Sequence, residues 1–324
     1  MTDWSKIRGF NYQPGYGCTG FENWLYFNPE QIAKELKNGK RLFPAMNTIR
    51  LWPDLYAFQH ATADFEKNFE TMLKICDSVG CRVVVALFNR WHDNVCDYGG
   101  IYFNHFLPGA GGVNDGHQKH ADAYISAIVG KHADDERIIA WDVCNEPFCY
   151  GDNKTVTDFI YPYEAEWLRT QYKKCKEAGA IQPVSFSPPR INIGQIREFD
   201  DISDIYMIHP YFGYCDKDFE TLTADDCAGL LAETLEIAKE TGKPVLTTET
   251  CWGSWHDDVR VKILKLTFEA HKKAGIGYIA HALCYSRVAD LHNAGDGPTG
   301  EPGNLCFICK DGSVRPGHDI FNEY

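Results

Sequence analysis

Strand-like and helix-like stretches alternate along the whole chain. Eight short apolar runs read as strands: 7–12 (IRGFNY), 46–52 (MNTIRLW), 81–89 (CRVVVALFN), 138–147 (IIAWDVCNEP), 183–188 (PVSFSP), 204–212 (DIYMIHPYF), 243–253 (KPVLTTETCWG) and 277–285 (GYIAHALCY). Most are apolar on both faces, the pattern of a parallel sheet covered by helices. Between them, apolar residues three and four apart predict helices over 65–80, 117–133, 163–178, 225–241 and 258–274. A further helix opens at Asn28-Pro29, with Asn as its cap and Pro in its first turn, and Gly80 ends the helix before the third strand. The fifth unit is the weakest, with room only for a short helix near 192–200. Eight such units, no repeat and no dividing linker predict one domain over residues 1–324. Its expected fold is a single (β/α)8 TIM barrel with elaborated loops at the C-terminal face. A doubly wound sheet would carry a glycine-rich phosphate turn after its first strand. Here that strand runs into NYQPGYGCTG, which lacks the spacing.

Composition narrows the function. The net charge of −13 argues against a general nucleic-acid or anionic-membrane surface as partner, since both need basic patches. The N-terminal MTDWSKIRGF lacks a basic region followed by an apolar stretch, and no run is long enough to span a bilayer. Thirteen cysteines cannot all pair within one chain, and several lie in apolar runs, so reduced thiols in the cytoplasm are expected. Cys306 and Cys309 form a lone CxxC, read as structural thiols because no second pair accompanies it. No cofactor or resident metal is expected.

Polar chemistry gathers at the strand ends, where such a barrel builds its active site. Strand 2 ends in Arg50 and Trp52, and strand 3 in Asn89, followed by Trp91 and His92. Strand 4 delivers Asn145 and Glu146, strand 6 His209 and Tyr211, strand 7 Glu249 and Trp252, and strand 8 His281. One histidine or aromatic in an apolar run is ordinary core, but six strands ending this way are not explained by packing. Glu146 and Glu249 stand on strands that face each other across an eight-stranded barrel. Opposed carboxylates are the equipment of glycosidic cleavage: one protonates the leaving oxygen, the other stabilises or attacks the oxocarbenium-like carbon.

Asn145-Glu146-Pro147 at the end of strand 4, with Glu249 at the end of strand 7, resembles the retaining glycoside hydrolases of clan A, the family 5-like cellulases, mannanases and β-glycosidases. Arg50 on strand 2 and His209-Pro210-Tyr211 on strand 6 extend the resemblance, and His92 matches loosely. The resemblance implies Glu146 as acid/base and Glu249 as nucleophile. It implies that Asn145 binds the hydroxyl next to the anomeric carbon, that Tyr211 holds the nucleophile, that Arg50 keeps it ionised, and that His209 stands near the acid/base. Members of the clan commonly carry a tryptophan on strand 8 under the sugar; here the position reads His281.

The expected activity is a retaining β-glycosidase acting through a covalent glycosyl-enzyme on short β-glycosides or oligosaccharides, in an exo manner. An endo-acting glycanase or transglycosylase would use the same site. Loop aromatics suited to sugar faces are Tyr12, Tyr16, Trp24, Trp52, Trp91, Tyr98, Tyr102, Trp252 and Trp255, about half of them expected in the core, with the 90–116 loop as a wall over the cleft. Two other classes compete: a metal-dependent barrel hydrolase drawing on His92, His105, His117, His120, Asp290 and His292, and a non-catalytic sugar-binding protein. The first lacks an HxH after strand 1, and the second does not need both glutamates.

Overall fold

The computed structural model describes residues 2–89, 113–149, 154–212, 221–290 and 303–324. Within them lie eight strands: β1 (Arg8–Asn11), β2 (Thr48–Leu51), β3 (Arg82–Asn89), β4 (Ile138–Asn145), β5 (Val184–Ser187), β6 (Tyr206–Ile208), β7 (Val245–Thr250) and β8 (Gly277–Ala280). All pair in parallel, in the order β5-β4-β3-β2-β1-β8-β7-β6. The sheet bends round until β5 and β6 meet. There the ladder gives way to a single-residue clasp: Asp204 N–H donates to Val184 O at 2.9 Å, and Val184 N–H donates to the Asp204 carboxylate at 3.0 Å. The result is the (β/α)8 barrel, nearly closed.

The helices are α1 (Gly20–Leu25), α2 (Pro29–Leu42), α3 (Leu55–His60), α4 (Thr62–Ser78), α5 (Val113–Ile128), α6 (Lys154–Glu177), α7 (Ile193–Glu198), α8 (Ala224–Thr241), α9 (Asp257–Ala274) and α10 (Arg287–Asp290). Asn28 caps α2 by accepting from Gln31 N–H, and Pro29 fills its first turn. Gly80, Gly242 and Gly275 adopt φ near 70° where α4, α8 and α9 end, a conformation glycine takes without strain. The expected helices are present, with differences at their ends. α6 starts nine residues before the predicted 163, running through Pro162, and α1 and α3 were not anticipated. Each of those two spans six residues, too few for a 3.6-residue periodicity to stand out.

Alternation along the strands divides the core. Ile49, Leu51, Val83, Val85, Leu87, Trp141 and Val184 point outward and pack under the helices. Their inward neighbours form a floor of Ile7, Val84, Ala140, Ile205, Met207, Leu246 and Ile279. One pleat further toward the C-terminal ends, the buried residues turn polar: Asn11, Arg50, Asp142, Ser187, His209 and Thr248. A packed apolar floor with a polar layer above it is what positions the site.

Candidate active site

Arg50 is the hub of that layer. Its guanidinium is wholly buried, and a buried charge is tolerated only when it is paired and hydrogen-bonded. Arg50 Nη2 donates to Asp142 Oδ2 at 2.7 Å, to Asn145 Oδ1 at 2.6 Å and to Ser187 Oγ at 3.0 Å. Nη1 donates to Asn11 Oδ1 at 3.1 Å and to Glu249 Oε2 at 3.0 Å. The guanidinium lies over the Trp52 ring, 4.6 Å from its centroid, so Trp52 packs on the charge network. Asn145 Nδ2 in turn donates to Asn89 Oδ1 at 3.0 Å.

Glu146 and Glu249 rise from this network, and a carboxylate oxygen of each lies within 4.8 Å of the other. Their surroundings differ. Glu249 accepts from Arg50 Nη1 on Oε2 and from the Tyr211 hydroxyl on Oε1. Burial alone would raise its pKa; the charges that His281 and His209 carry once protonated in acid, the Arg50 guanidinium and the Tyr211 hydroxyl outweigh it and hold the group down to about 2. Among the described residues Glu146 has no such cation at contact distance. Burial, then the charge of Glu249, push its pKa well above the ordinary value. Its Oε1 meets His209 Nδ1 at 2.7 Å, and His209 Nε2 meets Thr248 Oγ1 at 3.1 Å. Burial lowers the pKa of His209 to about 4, so the ring is neutral near pH 7.

The backbone is bent where the carboxylates sit. Glu146 itself has φ 50°, Phe148 has φ 65°, and Cys251, two residues after Glu249, has φ 77°. These left-handed conformations are costly outside glycine and persist only where the surroundings hold them. Arg260 of α9 supplies part of that hold. Fully buried, it donates through Nη1 to the carbonyls of Cys251 and Trp252, and through Nη2 to those of His281 at 2.8 Å and Leu305 at 2.9 Å.

The structure thus brings together Arg50, Trp52, Asn145, Glu146, His209, Tyr211, Glu249 and His281, and Trp252 joins them with its ring 5.4 Å edge-on from that of Tyr211. Trp91 and His92 lie outside the described residues, as do Tyr98, Tyr102, His105 and His292 and most of the 90–116 loop. Tyr12 and Trp24 are core residues, while Trp255 is exposed. Asn11, Asp142, Ser187, Thr248 and Arg260 were not anticipated. Asp142 carries a visible signal, an acid inside AWDVC, a buried strand that has no use for an unpaired charge.

Oxygens of Glu146 and Glu249 and a nitrogen of His209 could converge on a cation. The donors are already engaged, however, and the fixed positive charge of Arg50 contacts Glu249 directly, which disfavours a second cation there. Among the described residues the other such group is Glu70, His132 and Asp135, where Arg137 bridges both carboxylates.

No family model matches the chain. Among curated proteins it resembles a probable mannan endo-1,4-beta-mannosidase A of Aspergillus flavus, 35% identical over 96 residues, which is 28% of this chain and 23% of that protein. A namesake from Aspergillus clavatus is 24% identical over 180 residues, covering 52% of this chain and 46% of that protein. The matches therefore span less than half the length of these relatives. Among solved structures, the GH5_18 protein of Streptomyces cattleya in complex with GlcNAc superposes with a TM-score of 0.74 at 17% identity, over 99% of this chain and 80% of that one. The exo-beta-1,4-mannosidase of Opitutaceae bacterium strain TAV5 gives 0.69 at 18% identity, over 97% and 58%. In the sequence relatives it matches and in the barrel it shares with the solved structures, this chain is similar to the family 5-like glycoside hydrolases of clan A.

Proposed function

We propose that the chain, as one catalytic barrel over residues 1–324, is a retaining β-glycoside hydrolase that acts by double displacement on short β-glycosides or oligosaccharides in an exo manner. The observation that carries the reading is the separation of the two carboxylates. Oxygens within 4.8 Å leave no room for a water on the far face of the sugar and suit direct attack by the second carboxylate.

The environments divide the labour. Glu249, ionised beside Arg50 and aligned by Tyr211, attacks the anomeric carbon. Glu146, protonated because it is buried, gives its proton to the leaving oxygen. His209 donates its Nδ1–H to Oε1 of Glu146 and accepts from the Thr248 hydroxyl, which leaves the acidic proton on Oε2. Once Glu249 is esterified its charge is gone, and with it one cause of the raised Glu146 pKa. Glu146 then becomes the base that activates water. Asn145, held by Arg50 and Asn89, keeps an amide hydrogen for the neighbouring sugar hydroxyl.

β-Mannosides are the first substrates to test, because the curated relatives are named mannan endo-1,4-beta-mannosidases and a variant of the Streptomyces cattleya protein was solved with Manb1-4GlcNAc. The endo names of the relatives also favour a second reading, internal cleavage of a glycan by the same site. Wild type and Glu249→Ala, Glu249→Gly and Glu146→Ala variants, assayed on aryl β-mannoside, glucoside, xyloside and galactoside with azide, decide the matter. Expected are an inverted glycosyl azide from the Glu249 variants and a β-azide from Glu146→Ala on an activated substrate. Full activity in both on a confirmed substrate overturns the assignment.

A further inference from the structure

His281 follows β8 directly and faces the same carboxylate that Arg50 and Tyr211 hold. Its Nδ1 lies 3.8 Å from Glu249 Oε1, wholly enclosed and without a hydrogen-bond partner. A buried ring nitrogen left this way carries a desolvation cost unless something completes its bonding. The ring is not loose. It meets Trp52 edge-on with centroids 6.3 Å apart, and its backbone carbonyl is fixed by Arg260 at 2.8 Å. The small exposure that His281 retains, 8%, leaves Nε2 as the ring nitrogen open to the cleft.

The tautomer follows from the neighbour. An ionised carboxylate only accepts, so the nitrogen beside Glu249 carries the hydrogen; burial lowers the pKa of the ring, and in the neutral form that burial favours, Nε2 carries the lone pair. We propose that His281 is a specificity-determining residue that accepts, through Nε2, a hydrogen bond from a hydroxyl of the sugar bound against Glu249. The inference rests on the glycosidase reading. It replaces an aromatic stacking face at this position with a directional acceptor, so the site reads a hydroxyl there and not merely a flat apolar sugar face.

The test has two arms. Imidazole 15N spectra of wild type at neutral pH, with His281 assigned by its loss in His281→Gln, report the tautomer without any turnover. The expected result is protonated Nδ1 and bare Nε2; the opposite tautomer overturns the proposal. In the second arm, kcat/KM of wild type and His281→Phe is measured on an aryl glycoside and its monodeoxy analogues. Wild type should lose about tenfold to a hundredfold on one analogue, the loss expected for an acceptor left unpaired. His281→Phe should lose little more on that analogue than on the parent. Equal losses in both proteins at every position overturn the proposal, whereas absence of turnover in wild type on every glycoside overturns the glycosidase reading and leaves the spectral result to judge the tautomer.

Discussion

Arg50 and Asp142 form an ion pair at 2.7 Å with both side chains fully buried, directly beneath the two glutamates. Neither is at the surface of the cleft, yet this pair fixes the charge on Glu249 and the orientation of Asn145. Removing one partner strands the other in the barrel. Arg50→Met should cost ~3–5 kcal/mol of stability in denaturant unfolding, the usual range for a buried pair broken on one side. Joint replacement with Asp142→Leu should recover much of that stability while activity stays lost.

Tyr211→Phe keeps the ring against Trp252 and deletes only the hydroxyl that reaches Glu249. A hydrogen bond to a charged group contributes about 1.5–3 kcal/mol, so kcat should fall roughly tenfold to hundredfold with the melting temperature little changed. Steady-state kinetics alongside thermal unfolding distinguishes this from simple loss of fold.

The pH–rate profile should be a bell whose acid limb follows the ionisation of Glu249, held down to about 2, and whose alkaline limb follows loss of the Glu146 proton at a pH well above the usual carboxylate range. Glu146→Gln should remove the alkaline limb on an activated aryl substrate. Stability follows the same groups. Glu249, depressed on folding, contributes above its unfolded value of 4.5 and is lost as pH falls through about 2. His209, depressed to about 4, also costs stability as pH drops below its unfolded value of 6.5. Glu146, raised on folding, contributes most in acid, and that contribution fades as pH climbs from 4.5 through its folded value. Urea unfolding across this range should show the His209 loss below about pH 6.5 offset by the Glu146 gain, so that Glu146→Gln declines more steeply in acid than wild type.

Arg260→Met should free four carbonyls at once. Each buried acceptor left unpaired costs about 1–3 kcal/mol, so the variant should lose several kcal/mol and much of its turnover. Amide exchange should quicken over 251–256 and 303–308 before it does in β3 or β4. Unchanged exchange in those two segments would remove Arg260 from the account of how the loops after β7 and β8 are held.

Much of this was legible in the chain itself. A run such as CRVVVALFN is apolar on both faces along most of its length, the pattern of a covered parallel sheet. Glu146 and Glu249 stood out because each ends such a run in a charge. What stayed hidden was of two kinds. α1 and α3 are too short to show a period, and α6 runs through Pro162, which reads as a break. Arg260 looks like any cation on an amphipathic helix, because nothing in DDVRVKILK reveals that its acceptors are backbone carbonyls from three separate segments. Asn11 and Ser187 are likewise neutral residues whose importance comes from the guanidinium they face.

The clasp between β5 and β6 has a consequence for how the barrel ages under heat. Every other pair of neighbouring strands is laced by a ladder, whereas this junction depends on Asp204. It adjoins the side of Glu146, the proposed acid/base, since Ser187 at the end of β5 accepts from Glu146 N–H at 2.8 Å and β6 leads into His209. On the proposed mechanism, breathing at that junction should disturb Glu146, the proton donor, before it reaches Glu249 on β7. A warmed sample should therefore lose turnover of glycosides with poor leaving groups, which need protonation, ahead of those with good ones. Inactivation would be graded by leaving group, and the order of loss would report where the cylinder first comes apart.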